Sequence, residues 1–131
     1  MKKVSLDFDA TLSRTDVQRF AKEIIHLAEV WIVTSRMSPE YAKENMGSET
    51  YIRVDKQNRK LFRIADNIGI KREHIVFTAH TDKINFLEGK NFTFHLDDDP
   101  DELMEILNSK DTCKPINVEH MDWEQDCKKL L

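Results

Sequence analysis

The chain has 131 residues, 40% of them hydrophobic and 34% charged, with a formal charge of −4 and a pI near 5.7. That length suits one domain with a single core, spanning residues 1–131, and the acidic balance leaves out the strongly basic footprint of a nucleic-acid binder. Only three Gly and three Pro are present, which excludes long linkers and low-complexity tracts.

The opening MKKVSLDFDA holds an apolar run too short for a signal-peptide core. No later stretch approaches the length of a membrane span, so a cytoplasmic protein without a membrane partner is expected. Cys113 and Cys127 have no metal-type partners at close spacing and read as free thiols in a reducing compartment.

Short apolar strands alternate with amphipathic helices along the chain. KKVSLDF reads as a first strand; Thr15 and Gln18 then have capping-box spacing, and Val17, Phe20, Ala21, Ile24 and Ala28 mark one helical face. VWIVT at 30–34 reads as a second strand, and Ser38-Pro39 opens a short helix that Gly47 ends. GSETYIRVD reads as a short strand or an ordered loop. A helix over 56–68 follows, with Leu61, Ile64, Ala65 and Ile68 inward and Gly69 as its stop. HIVFT at 74–78 is a third strand, followed by about two helical turns up to Gly89, with Thr81 as the N-cap. NFTFHL is a fourth strand, Asp99-Pro100 opens a helix with Glu102 at capping-box spacing, PINV is a last strand, and DWEQDCKKLL closes as a helix. Strands separated by such helices predict a three-layer α/β/α sandwich around a mainly parallel sheet, Rossmann-like in plan.

In such sheets ligands bind beyond the carboxyl ends of the strands, and each predicted end carries a group suited to phosphate chemistry. Asp7 and Asp9 are two residues apart, so in extended chain both side chains leave one face, roughly 6–7 Å apart. Carboxylates that close repel unless a cation lies between them, and an all-oxygen set favours Mg2+. One can attack phosphorus while the other protonates the leaving oxygen. Asp97 and Asp98 end the fourth strand without a local counter-charge, whereas Asp99, before Pro100, is assigned to capping. Asp97 is the preferred ligand and Asp98 the second candidate. Lys83 falls in a first helical turn, where the macrodipole disfavours a cation unless an anion is near. Thr34 ends its strand with a hydroxyl and a backbone N–H, and Ser35 and Arg36 add a second hydroxyl and a fork-shaped phosphate donor.

This set resembles the haloacid dehalogenase-like (HAD) superfamily. DFDATLS is similar to its first motif, WIVTSR to its second, Lys83 to its third and FHLDDDP to the acidic-pair form of its fourth, together spanning 4–98. The resemblance implies Asp7 as nucleophile, Asp9 as general acid/base, Thr34 holding the phosphoryl group and Lys83 steadying nucleophile and phosphate. Asp7, the carbonyl of Asp9, and Asp97 or Asp98 would bind Mg2+. An acid at the place of Asp9 goes with phosphoryl transfer in this family. The spacing leaves no room for a large cap domain, so the capless members are the nearest in kind; their open sites often accept phosphate on a large partner.

The expectation is therefore a phosphomonoester hydrolase acting on a small molecule such as a nucleotide, or on a macromolecular end. The alternative is a non-catalytic or signalling phosphate-binding module of receiver type. Receivers place the acidic pair after the first strand, whereas here it comes last. Arg53, Lys56, Arg59, Lys60 and Arg63 read as a solvated helix face, the sharper reading being a docking strip for a nucleotide or nucleic-acid end, which the net charge does not support. His26, His74, His80, His95 and His120 show no ligand spacing, and His80 lies closest to the expected site. Trp31 reads as core and Trp123 as the anchor of the last helix. Nothing in the sequence sets an oligomeric state.

Overall fold

Strands β1 (Lys3–Leu6), β2 (Glu29–Thr34), β3 (Ile75–Phe77), β4 (Phe92–Asp97) and β5 (Lys114–Asn117) form one all-parallel sheet. Their spatial order is β3-β2-β1-β4-β5 in a computed structural model that describes residues 1–131. The helices are α1 (Thr15–Ile24), α2 (Pro39–Asn45), α3 (Ser48–Ile68), α4 (Ile84–Leu87), α5 (Pro100–Ser109) and α6 (Trp123–Leu130). No helix is long and apolar enough to cross a membrane.

Alternation along the strands sorts the core into two faces, and a bulge in β4 turns Phe92 to the face opposite Phe94 and Leu96. Val4, Leu6, Val30, Ile32, Phe94 and Leu96 pack with α1, α3 and α6 in the larger cluster. Val33 and Phe92 pack with Ile84 and Leu87 of α4 and Ile106 of α5 on the other side. The molecule is thus the expected three-layer α/β/α sandwich with an all-parallel sheet and no inserted cap. Trp123 sits edge-on to Phe20 with ring centroids 5.3 Å apart, which seats α6 on the larger face. Trp31 is half-buried and stacks on His74 at 4.4 Å.

The boundaries differ from expectation in three places. GSETYIRVD is helical: α3 begins at Ser48 with Gly47 as its N-cap, and Val54, Asn58, Leu61, Ala65 and Ile68 continue one buried stripe. Burial along that stripe overrides the strand preference of Thr50, Tyr51 and Ile52. Helix α4 has four residues and Lys83 itself as N-cap, while the Thr81 hydroxyl donates to the Thr78 carbonyl. Thr15 is the first residue of α1 and Arg14 its N-cap, with the Gln18 side chain donating to the Ser13 carbonyl. The Ser38 and Asp99 caps form as expected, each accepting a backbone N–H, from Tyr41 and Asp101.

Strands β2 and β3 run to one side of β1, and the chain then returns to place β4 on its other side. The carboxyl ends of β1 and β4 therefore flank the switch point of the sheet, where the crossovers diverge and leave a crevice. Asp7 follows the first of these strands and Asp97 ends the second.

Candidate active site

Asp7 leaves β1 in extended conformation, tied by its N–H to the Leu96 carbonyl of β4 at 2.9 Å. The next residues form a tight turn, closed by Leu12 N–H to Asp7 O at 3.1 Å and Ser13 N–H to Phe8 O at 3.0 Å. Ala10 sits at its apex with φ 56°, the left-handed region that costs a residue with a Cβ about 1 kcal/mol or more. The turn carries Asp7 and Asp9 to different partners, although both line one cleft of about 360 Å³.

On the inner side of this cleft, Lys83 Nζ lies 2.8 Å from Asp7 Oδ1 and 2.6 Å from Asp97 Oδ2. All three residues are buried. Oxygens of Asp7, Asp97 and Asp98 lie within 4.8 Å of one another. The Thr11 hydroxyl donates to Asp98 Oδ1 at 3.3 Å, and the Asp99 N–H donates to Asp97 Oδ1 at 3.1 Å. One ammonium against three carboxylates leaves excess negative charge in a site of hard oxygen donors, which is the chemistry a divalent cation such as Mg2+ fits.

The carboxyl groups respond to burial differently. Burial and the neighbouring Asp97 charge push the Asp7 carboxyl up to about 8, against the pull of Lys83. Burial also acts to raise Asp97, but the hydrogen bond and charge of His95, together with Lys83, outweigh it and hold Asp97 below the usual carboxylate range. For Lys83 the two carboxylates overcome burial and keep the ammonium charged. Without a cation, Asp7 therefore holds a proton more tightly than an ordinary carboxyl group.

Beneath the cluster a polar chain runs from Asp97 through His95 to Ser5. His95 Nε2 lies 2.7 Å from Asp97 Oδ2, and Nδ1 lies 2.7 Å from Ser5 Oγ. An ionised carboxylate only accepts, so Nε2 carries a proton toward Asp97, and Nδ1 pairs with the Ser5 hydroxyl, which can either donate or accept. Ser5 and His95 are both fully buried, and the signal for them was available. Each sits two residues before a site aspartate in an otherwise apolar strand, hence on the same face of the sheet. Glu102 was likewise assigned to a capping box, yet its Oε2 accepts the Lys83 backbone N–H at 3.0 Å, linking α5 to the start of α4.

The remaining expected residues lie on the outer side. The Asp9 carboxylate stands apart from the acidic cluster and is gripped by Arg36, with Nη2 to Oδ1 at 2.6 Å and Nε to Oδ2 at 2.9 Å. Arg36 is fixed in turn by the Gln57 carbonyl at 2.7 Å and Asn58 Oδ1 at 3.3 Å, over the ring of Phe8. Ser35 lines the cleft. Thr34 is fully buried, and its hydroxyl accepts the Arg36 N–H at 3.3 Å. Leu6 is the register partner of Ile32, so Thr34 falls level with Phe8, one position beyond Asp7. His80 lines a neighbouring cleft instead of this one.

The fold and this cluster define an α/β protein with a buried Asp–Lys–Asp arrangement at the switch point of a parallel sheet. No protein-family model matches the chain, and no curated protein matches it in sequence.

Proposed function

We propose that the chain is a Mg2+-dependent phosphomonoester hydrolase of the HAD-like, capless type. One observation carries the reading: Asp7, Asp97 and Asp98 bring oxygens within 4.8 Å of one another while Lys83 bridges the first two. Asp7, Asp97 and Asp98 would hold the ion. When bound, it would supply positive charge to the phosphate oxygens and take the place of the proton on Asp7.

A carboxylate oxygen of Asp7 attacks phosphorus and the ester P–O bond breaks, giving an aspartyl-phosphate. Asp9, at the mouth of the same cleft, would take up a proton once released from Arg36 and give it to the departing alkoxide. It then takes a proton from water, whose oxygen attacks phosphorus and breaks the bond to Asp7, releasing inorganic phosphate. Lys83 holds Asp7 in place and balances charge on the phosphoryl group. Ser35, which lines the cleft, would donate to its oxygens. Arg36 must yield part of its grip on Asp9 as substrate enters, and its fork then suits an incoming phosphate oxygen.

The test is phosphate release from an aryl phosphate by purified protein, with Mg2+ and with EDTA. Turnover should require Mg2+ and vanish in Asp7→Asn. Full activity in that variant would exclude Asp7 as nucleophile. A receiver-type storage module would instead accumulate stable phosphoprotein without releasing phosphate.

A further inference from the structure

A second cleft, of about 290 Å³, adjoins the first behind the Arg36–Asp9 pair. Arg36, Arg53 and His80 line it, and no carboxylate does. Arg53 forms no ion pair or side-chain hydrogen bond, although the protein as a whole is acidic. Met37, Met46 and Val54 supply an apolar side to the same cleft. Cationic donors facing a patch of apolar wall suit an anion carried on a short carbon skeleton.

The loop that brings His80 here is held in a costly conformation. Ala79 and His80 have φ 53° and 68°, two successive left-handed residues without a glycine. Their N–H groups donate to the Arg36 carbonyl at 3.1 Å and the Ser35 carbonyl at 2.8 Å, and Thr78 N–H donates to the Thr34 carbonyl at 2.8 Å. The segment after β3 is thus zipped onto the segment after β2, which fixes His80 opposite α3. Strain maintained this way is characteristic of residues placed for ligand contact.

We propose that this cleft binds a second phosphate group, so that the preferred substrates are small bisphosphates whose leaving group carries the extra anion. This rests on the phosphatase reading and adds the substrate class. The reacting phosphate sits at Asp7, and the skeleton passes Asp9 and Arg36. The distal phosphate meets Arg53 and the ring N–H of His80. A cleft of this volume fits one phosphate and a few carbons. Lys56, Lys60 and Arg63 stay outside it on the open face of α3.

Matched alkanediol monophosphates and bisphosphates of three to six carbons test the proposal. Wild-type protein should favour the bisphosphate in kcat/KM by about 10- to 100-fold, the discrimination one charge-assisted contact supplies. Arg53→Ala and His80→Ala should reduce that ratio severalfold, and Lys60→Ala should leave it alone. Equal kcat/KM for both members of each pair overturns the proposal. So does an equal loss in Lys60→Ala and Arg53→Ala with end-phosphorylated oligonucleotides as the better substrates, since the open helix face would then be the reader. If no phosphomonoester is hydrolysed, the phosphatase reading fails alone, and calorimetry with the same bisphosphates decides the cleft. Binding that weakens in Arg53→Ala supports it, and equal binding in both proteins overturns it.

Discussion

Ser5 and His95 are register partners on adjacent strands, and the Ser5 hydroxyl lies 2.7 Å from His95 Nδ1 beneath the acidic cluster. The pair orients the imidazole whose other nitrogen meets Asp97. Ser5→Ala leaves a fully buried nitrogen unpartnered and should cost about 1–3 kcal/mol of stability. His95→Leu should cost more, because Asp97 then loses a donor in a dry environment. Urea unfolding monitored by far-UV circular dichroism measures both, and an unchanged midpoint in either variant would remove the pair from the stabilising network.

Lys83 makes direct contact with both buried carboxylates, Asp7 and Asp97. Lys83→Met removes the donor that Asp7 and Asp97 share and leaves the Asp97 charge without its ammonium partner. Loss of one partner in a buried ion pair costs about 3–5 kcal/mol, so the variant should melt well below wild type in EDTA. Mg2+ should restore more of the melting temperature to Lys83→Met than it adds to wild type. Equal shifts in the two proteins would mean that the ion and the ammonium do not share these carboxylates.

The Asp7 carboxyl stands at about 8 in the cation-free protein, against an ordinary 3.8. A raised folded value means that the proton stabilises the fold. The contribution is complete below the unfolded value and disappears as pH rises through the folded one. Asn at this position stays neutral at every pH. The stability of Asp7→Asn relative to wild type should therefore climb between pH 5 and 9 in EDTA. Thermal melts across that range check it, and a difference independent of pH would contradict it.

Burial pushes the thiols of Cys113 and Cys127 up to about 12 each. Thiolate is the reactive form, so folded protein at pH 8 should resist iodoacetamide, whereas protein in guanidinium should take up two labels. Mass spectrometry reads the count. Rapid labelling of the native chain would place at least one thiol at the surface.

The sheet was legible because its strands are short β-branched and aromatic runs between helices with a clear apolar face, as in VWIVT and the Leu61–Ile68 stripe. Asp7, Lys83 and Asp97 could be brought together from sequence because each follows or ends a strand, and parallel topology gathers those ends. What escaped was whatever depended on partners distant in the chain. The 48–55 segment has local strand character and becomes helical by packing. Thr34 and Ser35 are adjacent, and only the register decides which of them reaches the cleft wall. His95 resembled any strand histidine until its pairing with Ser5 was known. Arg36 was anticipated as a phosphate donor, but its grip on Asp9 depends on Gln57 and Asn58, which the linear order does not connect to it.

The ammonium of Lys83 touches a carboxylate 76 positions earlier in the chain and another 14 positions later. During synthesis, Asp7 emerges long before either companion exists, and the full cluster requires β4 to lie beside β1. A shortened chain ending ahead of residue 97 would lack two of the three clustered carboxylates. The cluster is therefore complete only in a sheet that is itself complete through β4.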